Sequence, residues 1–91
     1  MTNAVIKNAA ITVSIHFGQI VKRIREEQRI SQEVLADRAD LNRSYVGEVE
    51  RGTAMPSLAT VTKIAKALNL TSSLLLARYE AFEQAQLEKT G

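Results

Sequence analysis

The stretch 31–52, SQEVLADRADLNRSYVGEVERG, constrains the fold more than any other part of the chain, because two short apolar patterns meet in it at a polar corner. Val34, Leu35 and Ala39 share one helical face. Val46 and Val49, with Tyr45 beside them, share another, and spacings of three to five residues belong to helices rather than strands. Between the two sets, Ala39-Asp40-Leu41-Asn42 is too polar and too rich in turn formers to carry one helix through. Ser31 is placed to cap the first helix, with Gln32 and Glu33 in its first turn. Asn42 is placed to cap the second, its side-chain oxygen accepting from a backbone N–H one turn in. Arg43, Ser44 and Tyr45 then occupy the first exposed turn of a helix whose positive dipole end faces outward, an arrangement suited to meeting an anion.

Counted from Gln32, this segment resembles the twenty-residue helix-turn-helix of the phage-repressor and Cro type, also called the xenobiotic-response-element type. The pattern asks for a small residue at its fifth place, here Ala36. Apolar residues are due at the fourth, eighth, tenth, fifteenth and eighteenth places, here Leu35, Ala39, Leu41, Val46 and Val49, and the segment closes on the family's Glu50-Arg51-Gly52. One place departs: the ninth, usually glycine, is Asp40. Aspartate tolerates the left-handed region better than most residues, so strain on the order of 1 kcal/mol is expected there rather than a different turn. The resemblance extends over residues 17–76. It implies an all-α fold, a compact five-helix bundle with a lambda-repressor-like DNA-binding domain.

A chain of 91 residues with 45% hydrophobic content supports one modest core, and hence one domain. Without cysteine it has no disulfide and no thiolate metal site, and a single histidine makes no metal site alone, so neither metal nor cofactor is expected. No apolar run approaches the roughly 18 residues needed to span a bilayer, which points to a cytoplasmic protein without a membrane partner. The net charge of +2 is a weak pointer to nucleic acid, but its distribution says more. Acids and bases cancel over 15–52, whereas 53–78 holds Lys63, Lys66 and Arg78 with no acid. Beyond it Glu80, Glu83 and Glu88 stand against Lys89. The acidic end is expected to face away from an anionic ligand.

Residues 1–13 form an arm or extension whose periodicity fits strand and helix alike, leaving an arm, a pairing strand and a helical extension open. From about Ser14 the pattern settles into a first helix, with Phe17, Ile20, Val21 and Ile24 on one stripe. These open the DNA-binding domain, 14–88. His16, at the start of that helix, reads as solvated or locally bonded rather than catalytic. Beyond Gly52, Ser57 is a cap, and Leu58, Val61, Ile64, Ala65 and Leu68 read as a buried stripe with Thr60, Lys63 and Lys66 on the other side. Thr71 caps a last helix running to about Gln86. That helix has two apolar stripes. Leu75, Tyr79 and Phe82 are expected to meet a second copy of the chain, with Leu74, Ala77, Ala81 and Ala85 on the other side.

The resemblance also assigns roles. Arg43 and Ser44 match the family's principal base-reading places and Glu48 a third. A guanidinium can bond guanine O6 and N7, a hydroxyl donates and accepts, and a carboxylate accepts from cytosine N4 or repels phosphate. Gln32, Asn42 and Tyr45 match backbone or groove-edge contacts that set register, and Gly47 a close approach. Arg25 and Glu50 match a structural ion pair between the first helix and the end of the recognition helix. The implied function is a homodimeric regulator reading an inverted repeat in double-stranded DNA, and the Asn-Arg-Ser-Tyr-Val opening of the recognition helix is similar to that of restriction-modification controllers. The same fold also serves as a protein-binding module, as in an antitoxin that masks a toxin or a factor that contacts RNA polymerase. An enzyme is not expected, because the chain has no cysteine nucleophile, no glycine-rich phosphate loop and no histidine with an evident carboxylate partner.

Overall fold

The computed structural model describes residues 3–90. Among them are five helices and no strand: α1 (Asn3–Glu27), α2 (Gln32–Ala39), α3 (Arg43–Arg51), α4 (Leu58–Ala67) and α5 (Ser72–Thr90). α1 starts well before Ser14. No proline or glycine precedes Gly18, and once a helix is nucleated each further residue costs little, so the pattern settled at Ser14 propagates back to Asn3. Helix is thus the conformation taken in this segment, while Met1 and Thr2 lie outside the described residues.

The caps follow from side-chain chemistry. Ser31, Asn42, Ser57 and Thr71 each accept a hydrogen bond from a backbone N–H two or three residues on, at 2.8–3.2 Å. Such a cap contributes about 1 kcal/mol. Asp40 takes the left-handed conformation (φ 55°) that the family usually gives to glycine, and Leu41 N–H closes back on the Ala36 carbonyl at 2.9 Å. The corner between α2 and α3 is therefore kept without the glycine.

Phe17, Ile20, Val21 and Ile24 of α1 meet Leu35 and Ala39 of α2, Val46 and Val49 of α3, Ile64 of α4 with Leu68 just past its end, and Leu75 of α5 in one core. Two expectations about its edge are corrected. Val34 and Leu58 are exposed, Leu58 by 74%, because each lies in the first turn of its helix, beyond the reach of the neighbouring elements.

The dimer assignment is corrected too. Leu75 and Phe82 are buried within the chain itself, at 0% and 9% exposure, and Tyr79 packs against the same core. α1 covers this stripe. The Phe17 and Tyr79 rings meet edge-on at 6.2 Å, the Arg23 guanidinium sits 5.1 Å over the Phe82 ring, and His16 meets Phe82 edge-on at 5.5 Å. Burying an aromatic or leucine side chain is worth about 1.5–3 kcal/mol and an alanine far less, so the aromatic stripe turns inward. Leu74, Ala77, Ala81 and Ala85 stay exposed, Leu74 by 54%.

His16 Nδ1 lies 2.6 Å from Glu83 Oε2, to which the Tyr79 hydroxyl also donates at 3.3 Å. The histidine does have a carboxylate partner, and it ties α1 to α5.

Candidate nucleic-acid interface

α3 is a helix of two sides. Val46 and Val49 are fully enclosed and Glu50 is buried, whereas Arg43, Ser44, Glu48 and Arg51 are exposed. The exposed residues, with Gly47 and with Gln32 from the start of α2, line one shallow groove. Four sequence-expected site residues, Gln32, Arg43, Ser44 and Glu48, therefore come together. Asn42 caps the helix at the edge of this surface through its bond from Ser44 N–H. Tyr45 is half-buried and packs against the core, so its ring is partly committed to holding α3.

What fixes α3 in position is a buried charge pair. Arg25 of α1 donates from Nε to Glu50 Oε2 at 2.7 Å and from Nη2 to Oε1 at 3.0 Å, a bidentate pairing, while its Nη1 donates to the Ile30 carbonyl at 2.8 Å. The bond to Glu50 holds the Arg25 guanidinium above its ordinary value; burial opposes this, and the nearby charges of Glu50 and Glu26 assist. Gln32 joins the same carboxylate, its Nε2 donating to Glu50 Oε1 at 2.9 Å. The amide expected to reach phosphate is thus anchored inside the protein by one of its two N–H groups, leaving the other for an external acceptor.

Close packing adds to the clamp. A Cβ placed on Gly18 of α1 would lie 2.2 Å from the Val49 carbonyl oxygen and 2.7 Å from that of Glu50, so α1 and α3 touch backbone to backbone. Gly18 was invisible to periodicity, because its role lies in a contact with residues far along the chain. Gly52 ends α3 at φ 79°, with the Ile15 backbone where a side chain would stand.

The basic residues do not all converge. Lys63 and Lys66, on the outer side of α4, line a separate depression with Arg38 between α2 and α4. Arg51, within the closing Glu-Arg-Gly, also lines the α3 groove. Among the described residues no group of three or more histidines, cysteines or carboxylates is placed to hold a metal ion, and no helix is long and apolar enough to cross a membrane.

The profile of the helix-turn-helix family matches residues 21–75. Control protein C.BamHI of Bacillus amyloliquefaciens is 43% identical over 65 residues, covering 70% of this chain and 80% of that protein. The restriction-modification controller protein C.AhdI from Aeromonas hydrophila superposes with a TM-score of 0.65 at 43% identity, covering 67% of this chain and 92% of that one. The controller C.Esp1396I, solved as a tetramer with its natural 35-base-pair operator, has the same fold, with a TM-score of 0.73 at 23% identity over 77% of this chain and 92% of that one. Against the immunity repressor of Bacillus phage phi105, the chain spans about half the length, 49%.

Proposed function

The chain belongs to the helix-turn-helix family of transcriptional regulators, and from that membership we propose that it binds double-stranded DNA sequence-specifically as a homodimer on an inverted repeat, controlling a restriction-modification operon. It acts in the cytoplasm by binding rather than by catalysis.

One observation carries this reading: the exposed side of α3 gathers Arg43, Ser44, Glu48 and Arg51 in a single groove, while its other side is locked into the core through Val46, Val49 and Glu50. Polar groups held on so rigid a support are pre-arranged for a major groove about 12 Å wide. The first turn of α3 enters the groove with Arg43 and Ser44 toward base edges, and α2 crosses the phosphates with Gln32 and Asn42 setting register. The controller class is supported by C.BamHI and C.AhdI, which this chain resembles over most of their lengths.

Dimerisation uses the outer stripe of α5, Leu74, Ala77 and Ala81, which the chain's own core leaves uncovered. A two-fold axis there would set two copies of α3 about 34 Å apart along one face of the duplex.

Selection from random duplexes tests the whole reading, with an inverted repeat as the expected product. Arg43→Ala should then cost roughly 1–3 kcal/mol at the selected site and much less on random DNA. An equal loss on both would make Arg43 a phosphate contact.

A further inference from the structure

Gly47 lies on the side of α3 that carries Arg43, Ser44, Glu48 and Arg51 and offers no side chain, yet it is buried, because the space above it is occupied. A Cβ built on Gly47 would lie 3.0 Å from Arg51 Nη1 and 3.8 Å from its Cζ. Side chains on a helix lean toward its N-terminus, so an arginine at i+4 naturally reaches back over residue i. Arg51 does this in the groove that also holds Arg43, Ser44 and Glu48. Its side chain is exposed, and among the described residues neither Arg51 nor Arg43 belongs to an ion pair.

We infer that Arg51 is a second base-reading residue, its guanidinium taking the place left by Gly47 and recognising a guanine edge in the major groove. This rests on the DNA-binding reading given above.

The geometry says where that guanine should be. The guanidinium lies at the level of residue 47, and the side chain of Arg43, eight residues before Arg51, leans toward the N-terminus in the same sense, so the two guanidinium groups stand between about 6 and 12 Å apart along the helix. Base pairs are stacked about 3.4 Å apart, so the position read by Arg51 should fall two to four base pairs from the one read by Arg43. A guanidinium with no acid to satisfy it has all its donors free, and its planar fork matches guanine O6 and N7 in a fixed geometry that the rotatable donors of an ammonium lack. The glycine is then no mere gap: a methyl group at residue 47 would crowd Nη1 at 3.0 Å, and the guanidinium would have to shift by a few tenths of an ångström.

Random-duplex selection on the wild type, Arg51→Ala, Arg51→Lys and Gly47→Ala, each checked for helicity by circular dichroism, provides the test. The wild type should select two guanines at the predicted separation. Arg51→Ala should lose the second preference by roughly five- to a hundred-fold while keeping the first. Arg51→Lys should retain affinity better than the alanine variant and recover only part of the guanine preference. Gly47→Ala should weaken the same preference, and the double variant Gly47→Ala with Arg51→Ala should discriminate there no worse than Arg51→Ala alone. If Arg51→Ala weakens all sequences equally and lowers the salt slope by about one, Arg51 holds a phosphate and the base-reading role is overturned. An unchanged selected site at wild-type affinity overturns any contact by Arg51 while leaving the functional reading intact. A wild-type chain that selects no sequence overturns both.

Discussion

Glu50 accepts three hydrogen bonds from two helices other than its own, from Nε and Nη2 of Arg25 and from Nε2 of Gln32. Its carboxylate is therefore the point at which α1, α2 and α3 are held in mutual register. Burying the pair costs desolvation that its attraction only roughly repays, so it contributes more to orientation than to net stability. Losing one partner is a different matter. Glu50→Ala leaves a buried guanidinium with its main acceptor gone and is expected to destabilise by about 3–5 kcal/mol, measured by urea denaturation. A loss below about 1 kcal/mol would mean that water replaces the carboxylate and that α3 is held by packing alone. The partnership of Arg25 with Glu50 could be read from the chain through the family pattern. The third bond could not, because a glutamine at a helix start presents the same amide to solvent or to an inward carboxylate, and only the fold decides which.

The starts of α2, α3, α4 and α5 were legible in their capping residues, and those four side chains found their backbone partners as their chemistry required, whereas α1 begins at Asn3 rather than near Ser14. The orientation of α5 was not. Its two apolar stripes are equally visible in the chain, and the choice between them depends on what α1 brings opposite, namely Phe17, Arg23 and His16 against Tyr79 and Phe82. The contact of α1 with α3 is likewise a property of two elements together. Gly18→Ala would gain up to about 1 kcal/mol in helix propensity. It must nevertheless place a methyl 2.2 Å from a carbonyl oxygen, and backbone cannot swing aside as a side chain can. Overpacking costs about 1–3 kcal/mol, so net destabilisation is expected in thermal unfolding; a stabilised variant would show that α1 can lift off α3 freely.

The α1–α5 contact has its own signature. Burial raises the Tyr79 hydroxyl above its ordinary value, and the charge and hydrogen bond of Glu83 and the charge of Glu80 raise it further. A group raised on folding contributes stability that is complete below its unfolded value of about 10 and is lost as pH climbs through the folded one. Stability should thus fall on the alkaline side, and Tyr79→Phe should flatten that fall. Identical alkaline limbs for both proteins would remove Tyr79 from the cause.

At the scale of the whole molecule, the question is what covers Leu74 and the alanines beside it. Leu74→Glu should leave the monomer folded, since the side chain is already 54% exposed. If this stripe is the dimer surface, the variant should weaken self-association by several kcal/mol, because burial worth about 1.5–3 kcal/mol per leucine is counted twice by symmetry. Sedimentation equilibrium decides, and an unaltered dimer would move the interface elsewhere. The two sides of α3 carry a last consequence. The residues that fasten it, Val46, Val49 and Glu50, and those that face outward, Arg43, Ser44, Glu48 and Arg51, share no position. Descendants of this chain can therefore change the text they read without relearning how to fold, and a library randomised at the four outward positions should yield folded proteins of new specificity.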